Sequence, residues 1–309
     1  MPSKKCLAVV GIGRWGKNLL REFDRVALVE WCFYKGSPET KKWLKKNYPG
    51  IKTAASFDQI LHDQSIDAVI IATPIKAHYE LAKKALLAGK HVFVEKPITD
   101  NVKQAQELVR LAAKKKRILF VGHIFSYHPV WAKIKRLNDV EPFKHASFVW
   151  NKLGTFNEEL VFNLASHDVA MALDLFGSSS TSLAPNKLVL DKPTSIKTIE
   201  NSGMVTDSDI IYIRLGFKNS RSCTIYINRV SNFKNKTITL ATNKNVYLWE
   251  NDRLLKLDKK SAAFKLIYQS TKTPLEIECT EFIKCITRNK KPHTDGGFGL
   301  GVVRVLSKI

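Results

Sequence analysis

Short apolar runs alternate with amphipathic stretches through residues 1–122. Runs at 6–10, 27–33, 68–72, 91–94 and 118–121 read as buried strands. The stretches at 16–23, 38–47, 57–62, 78–88 and 102–116 repeat their apolar residues at helical intervals. Strand and helix alternating at this spacing predict βαβ units, hence an α/β fold with a doubly wound parallel sheet. Gly89, just past the helix at 78–88, fits the left-handed position that ends a helix.

The texture changes after residue 122. A helix at 129–137 and a strand at 145–151 precede a long helix at 158–176 that closes on Gly177. Strand-like runs follow at 187–190, 195–200, 210–217, 222–229, 237–241, 246–249 and 254–256. Several alternate apolar with polar residues, as in Thr224-Ile225-Tyr226-Ile227-Asn228, which suits a sheet covered on one face. Helices at 274–289 and 298–306 end the chain. The pattern predicts two domains. Residues 1–122 form a Rossmann domain, and residues 123–309 an α+β domain on a mostly antiparallel open sheet.

Composition narrows the class. With 44% hydrophobic residues the 309-residue chain can bury a core, and no apolar run approaches the ~18 residues a membrane span needs. Five cysteines without paired spacing suit reduced thiols in a cytoplasmic protein, and the N-terminus lacks the pattern of a signal peptide. The net charge of +22 raises the question of nucleic acid. The excess is spread over both halves and its clusters fall on helix faces and ends, so a solvated lysine-rich surface is the expectation, with neither a nucleic-acid nor a membrane partner.

Gly11-Ile12-Gly13-Arg14-Trp15-Gly16 is a GxGxxG turn between a strand and a helix. Gly11 makes the tight turn, Gly13 lets the backbone approach a pyrophosphate, and Gly16 lets the helix pack on the strand. The acidic residue that bonds a ribose 2′-hydroxyl about 20 positions on is missing. Glu30 comes too early and Glu39 sits inside the next helix, behind the Ser37 cap. Lys35, Ser37 and Arg14 would welcome a 2′-phosphate, which predicts NADP, with NAD as the alternative.

Thr73-Pro74 through His78 follows the third of these strands, and Glu95-Lys96-Pro97 the fourth. Both lie at the carboxyl edge where open α/β sheets bind ligands. Asn163 and His167 stand at i and i+4 on the 158–176 helix, with Asp174 roughly extending that stripe and Asp168 on a neighbouring face. His167 is a core histidine or, beside a nicotinamide, a general base. No metal-ligand spacing occurs.

GIGRWG, ATPxxxH, EKP and a late N-x-x-x-H-D helix, in this order, resemble the Gfo/Idh/MocA oxidoreductases, the family of glucose-fructose oxidoreductase and inositol 2-dehydrogenase. The resemblance implies a dinucleotide domain followed by a domain whose open sheet makes a homodimer or homotetramer contact. It assigns Lys96 to contact with cofactor and substrate, His167 to acid/base work, and Trp15, Thr73, Pro74, His78, Glu95 and Pro97 to the cofactor side. The family's usual aspartate four residues before the histidine is Asn163 here, which can orient a hydroxyl but cannot carry its proton. His123, Tyr127 and Asp168 are expected with Asn163 on the substrate side.

The resulting expectation is an NAD(P)-dependent oxidoreductase. It moves a hydride between nicotinamide and a sugar, nucleotide-linked sugar or polyol, with Lys96 and His167 at the reacting oxygen. The alternative is a non-catalytic dinucleotide-binding regulator on the same fold.

Overall fold

The computed structural model describes residues 4–177 and 192–309. The strand expected at 187–190 lies outside the described residues. The chain divides into two compact units, Met1–Ile124 with Leu275–Val303, and Phe125–Pro274 with Arg304–Ile309.

The first unit runs β1 (Cys6–Val10), α1 (Arg14–Val26), β2 (Leu28–Phe33), α2 (Pro38–Asn47), β3 (Lys52–Thr53), α3 (Phe57–His62), β4 (Ala68–Ile71), α4 (His78–Leu87), β5 (His91–Glu95), α5 (Val102–Lys115) and β6 (Leu119–Gly122). Its six strands are all parallel, in the order β3-β2-β1-β4-β5-β6. Parallel strands are covered on both faces, which is why β1, β4 and β6 read as continuous apolar runs. The strand order reverses between β1 and β4, the crevice position for ligands in such sheets. Ser37, Ser56 and Asn101 cap α2, α3 and α5 through their side-chain oxygens. Gly89, at φ +76°, follows α4 as the glycine of its C-terminal turn.

The second unit holds α6 (Pro129–Val140), β7 (His145–Asn151) and α7 (Ser166–Phe176), then β8 (Ser195–Ser202), β9 (Ile210–Gly216), β10 (Ser222–Asn228), β11 (Asn235–Ala241), β12 (Val246–Glu250), β13 (Arg253–Asp258) and β14 (Ala263–Gln269). The eight strands form one open sheet, β14-β13-β12-β11-β7-β10-β9-β8, antiparallel except where β7 meets β10. Alternation puts Ile211, Ile213 and Leu215 of β9 and Cys223, Ile225 and Ile227 of β10 on the buried face. The helix expected over 158–176 begins instead as a π-helical turn, Val161–Ala165, and becomes α-helical at Ser166.

The chain closes with α8 (Pro274–Arg288) and α9 (Gly296–Leu306). A single boundary after residue 122 therefore does not describe the molecule, because Leu275–Val303 returns to the first unit. The cause is aromatic packing. Phe282 of α8 sets its ring 5.5–5.9 Å from those of Phe23, Phe93 and Phe120, at steep angles. Edge-to-face pairs of this kind add to what burial of the rings contributes.

Candidate active site

The sequence-predicted residues fall into two sets, one in each unit. In the first unit, Gly11 has φ +93°, and a Cβ there would lie 2.6 Å from the carbonyl oxygen of Ala72. At Gly16 a Cβ would lie 1.9 Å from the carbonyl oxygen of Gly11, so helix and turn pack without space for a methyl group. Gly13 caps α1 with no side-chain hydrogen bond and no acidic residue in the first turn. The N–H groups and positive dipole end of α1 are thus available to an anion.

Lys35 is exposed and Ser37 accepts the Thr40 N–H as the cap of α2. Glu30 is engaged elsewhere. It meets Lys52 at 2.8 Å and accepts the Cys6 thiol, contacts that hold its carboxyl below the usual range.

Glu95 closes β5, buried, and accepts the indole N–H of Trp15 through Oε1 at 2.5 Å and the Lys96 N–H through Oε2 at 3.2 Å. Burial pushes its pKa up to about 7. Glu278 of α8 is wholly buried, and burial together with the Glu95 charge pushes it well above the carboxylate range. Lys96 itself is half-buried. His78 is buried, with both ring nitrogens on backbone carbonyls, those of Thr73 and Pro97. His78 thus meets the chain itself, where contact with cofactor was expected. The His123 ring, 1% exposed, stands edge-on to Phe298 at 5.4 Å inside the first unit.

In the second unit His167 lies in the first turn of α7, half-buried among aromatic rings, 5.1 Å from Phe125 and 5.7 Å from Trp150. Asn163 lies within the π-helical turn, whose i→i+5 bonding widens the spacing on which a simple i,i+4 stripe depends. Tyr127 is buried. Asp174 accepts the indole N–H of Trp131 at 2.7 Å and pairs with Lys135, a structural role. Asp168, expected on the substrate side, is wholly buried and sits 2.8 Å from Lys236 Nζ. The two charged groups form an ion pair out of reach of solvent.

Lys236 was not anticipated. Its ammonium lies 3.8 Å from the Trp150 ring centroid and 4.0 Å from that of Phe125, the same two rings that flank His167. Burial pushes the Lys236 pKa down and that of Asp168 up, each opposed by the charge of the other. The signal was present. Lys236 is in phase with Ile238 and Leu240, which are buried on the alternating strand β11. Among the described residues no group of three His, Cys, Asp or Glu side chains could hold a metal ion. No helix among them is long and apolar enough to cross a membrane.

Residues 5–123 match the model of an oxidoreductase family with an NAD-binding Rossmann fold, GFO_IDH_MocA. That match covers 119 of the 309 residues, and over this domain the chain is similar to the Gfo/Idh/MocA oxidoreductases. An uncharacterized oxidoreductase of Schizosaccharomyces pombe is 30% identical over 163 residues, which cover 48% of this chain and 44% of the relative. The chain spans less than half the length of the first relatives it matches. A scyllo-inositol 2-dehydrogenase (NAD(+)) of Bacillus subtilis is 26% identical over 92% of this chain and 87% of its own. UDP-N-acetylglucosamine 3-dehydrogenase GnnA from Acidithiobacillus ferrooxidans has the same fold, with a TM-score of 0.87 at 18% identity over 100% of this chain and 97% of that one. The shared fold comprises both the parallel dinucleotide-type sheet and the second, mostly antiparallel one.

Proposed function

We propose that this protein is a Gfo/Idh/MocA-type, NAD(P)-dependent oxidoreductase that moves a hydride between nicotinamide C4 and a CH–OH or keto carbon of a sugar, nucleotide-linked sugar or polyol. The observation that carries the proposal is the Gly11–Gly16 turn joined by Trp15 to Glu95, which puts the dinucleotide motif and the lysine-bearing segment into one hydrogen-bonded unit. A bound dinucleotide would supply the hydride or accept it. Gly11, Gly13, Arg14 and Gly16 would meet its pyrophosphate; Thr73, Pro74 and Pro97 would border it.

Lys96 donates to the substrate oxygen and favours negative charge developing on it. His167 exchanges the hydroxyl proton, and Asn163 orients a neighbouring hydroxyl. Exposed Lys35 and Arg14, with Ser37, favour NADP. The sugar reading is supported by the two named relatives, one a polyol and one a nucleotide-sugar dehydrogenase.

A homo-oligomer formed through the eight-stranded sheet accompanies this reading, supported by Phe264, Leu266 and Ile267, which are exposed on the edge strand β14. Five buried, unpaired cysteines support a reducing, cytoplasmic setting. Calorimetric titration with NADP, NAD and both reduced forms, followed by an absorbance assay over keto-sugars, inositols and nucleotide sugars, tests the proposal. Tighter NADP binding with turnover of at least one such substrate is expected. Binding of neither dinucleotide would overturn it. Binding without redox turnover of any of them would favour a dinucleotide-sensing regulator.

A further inference from the structure

The turn after β4 carries Thr73, and the segment after β5 carries Lys96 and Pro97. His78, the first residue of α4, lies between them and is 1% exposed. Its Nδ1 is 2.9 Å from the Pro97 carbonyl oxygen and its Nε2 is 2.8 Å from the Thr73 carbonyl oxygen. Both partners are carbonyl oxygens, which only accept. A neutral imidazole has one N–H and one lone pair, so it donates to one carbonyl and turns its lone pair on the other. Only the imidazolium donates to both.

The surroundings divide in their effect on that proton. Burial, the largest influence, lowers the His78 pKa, and the Lys96 ammonium acts the same way. The two carbonyls and the Asp100 carboxylate, itself paired with Lys76, oppose them. Near neutrality His78 is therefore a single donor, and on the acid side it becomes a double one.

We propose that His78 is a positioning residue for Lys96: as imidazolium it ties the Thr73 and Pro97 carbonyls together, and on losing its proton it releases one of them. The segment that presents Lys96 is thus held more firmly in acid. This rests on the reading of Lys96 as a lysine that meets cofactor and substrate. One hydrogen bond gained or lost corresponds to a change of about 2- to 10-fold in the affinity of a ligand that needs both turns in place. Global stability moves the other way. A histidine whose folded pKa is depressed takes up its proton more readily when unfolded, so acid destabilises the fold while it tightens this tie. A purely structural histidine would move the melting temperature alone.

The test is the dissociation constant for NADP, measured from about pH 8 down to about pH 5 on the wild type and on His78→Gln, whose amide donates the same way at every pH. Wild-type affinity is expected to strengthen on acidification with a midpoint below the ordinary histidine value, and the variant to stay flat at the weaker level. The same acid strengthening in His78→Gln would overturn the proposal, as would a flat wild type. Should the variant fail to fold, ring-nitrogen NMR of ¹⁵N-histidine wild type decides. Both His78 nitrogens are expected to become N–H together at the midpoint of the affinity change, whereas one tautomer persisting down to acid unfolding would overturn the proposal. A Lys96→Ala protein that keeps its turnover would sink the active-site reading and leave the His78 titration standing.

Discussion

Trp15 donates its indole N–H to Oε1 of Glu95 at 2.5 Å, binding the glycine turn after β1 to the end of β5. The acceptor is a buried carboxylate whose charge acts on a second buried carboxyl, that of Glu278.

This pair makes stability fall as pH rises. Glu95 has a folded pKa of about 7 against an ordinary 4.5, so its protonated form is favoured in the folded protein. The associated stability is fully present below about pH 4.5 and is lost as pH rises through about 7. Glu95→Gln keeps an acceptor for Trp15 and removes the ionisation. Thermal unfolding followed at about pH 5 and about pH 8 should show the wild type losing more in melting temperature than Glu95→Gln. Glu278→Met, which replaces a wholly buried carboxyl with no hydrogen bond, should raise the melting temperature at the higher pH. Equal pH slopes in all three proteins would refute the coupling.

Gly11→Ala meets two obstacles, the Ala72 carbonyl oxygen and a left-handed φ of +93°. The strain is worth about 1–3 kcal/mol, and relief means moving the turn. The variant should melt several degrees lower and bind NADP at least tenfold more weakly. A variant that binds like wild type would separate this turn from the dinucleotide.

Lys236 and Asp168 form an ion pair beneath the Phe125 and Trp150 rings. Removing one charge strands the other, so Lys236→Met and Asp168→Asn should each cost about 3–5 kcal/mol in urea unfolding. The double variant should cost less than the sum of the two. Strict additivity would mean that the pair is not coupled.

Much of this architecture is legible in the sequence, and the exceptions have physical causes. Helices 38–47 and 57–62 and strand 145–151 follow from periodicity and caps, and they occur with those bounds. β14 escaped because Ala263 to Gln269 does not alternate, and its apolar side chains stay exposed on an edge strand. The π-helical turn before His167 escaped because apolar spacing does not distinguish i→i+4 from i→i+5 bonding over one turn. Glu278 was readable, lying in phase with Phe282, Cys285 and Ile286 on the buried face of α8. The glycine turn and the Lys96 segment were read as separate motifs, because a hydrogen bond across 80 positions leaves no mark in local spacing. The pairing of Asp168 with Lys236 was not legible, because Lys236 lies on a distant strand.

The central claim is that Lys96 and His167 carry out the chemistry while the glycine turn holds the dinucleotide. The measurement that tests it most directly is redox turnover of wild type, Lys96→Ala and His167→Ala on the best substrate from the panel, with NADP affinity determined on the same samples. Turnover should fall by about 10²–10⁴-fold in both variants while NADP affinity changes less than tenfold. Variants that turn over like wild type, or that lose turnover only because they no longer bind NADP, would contradict it.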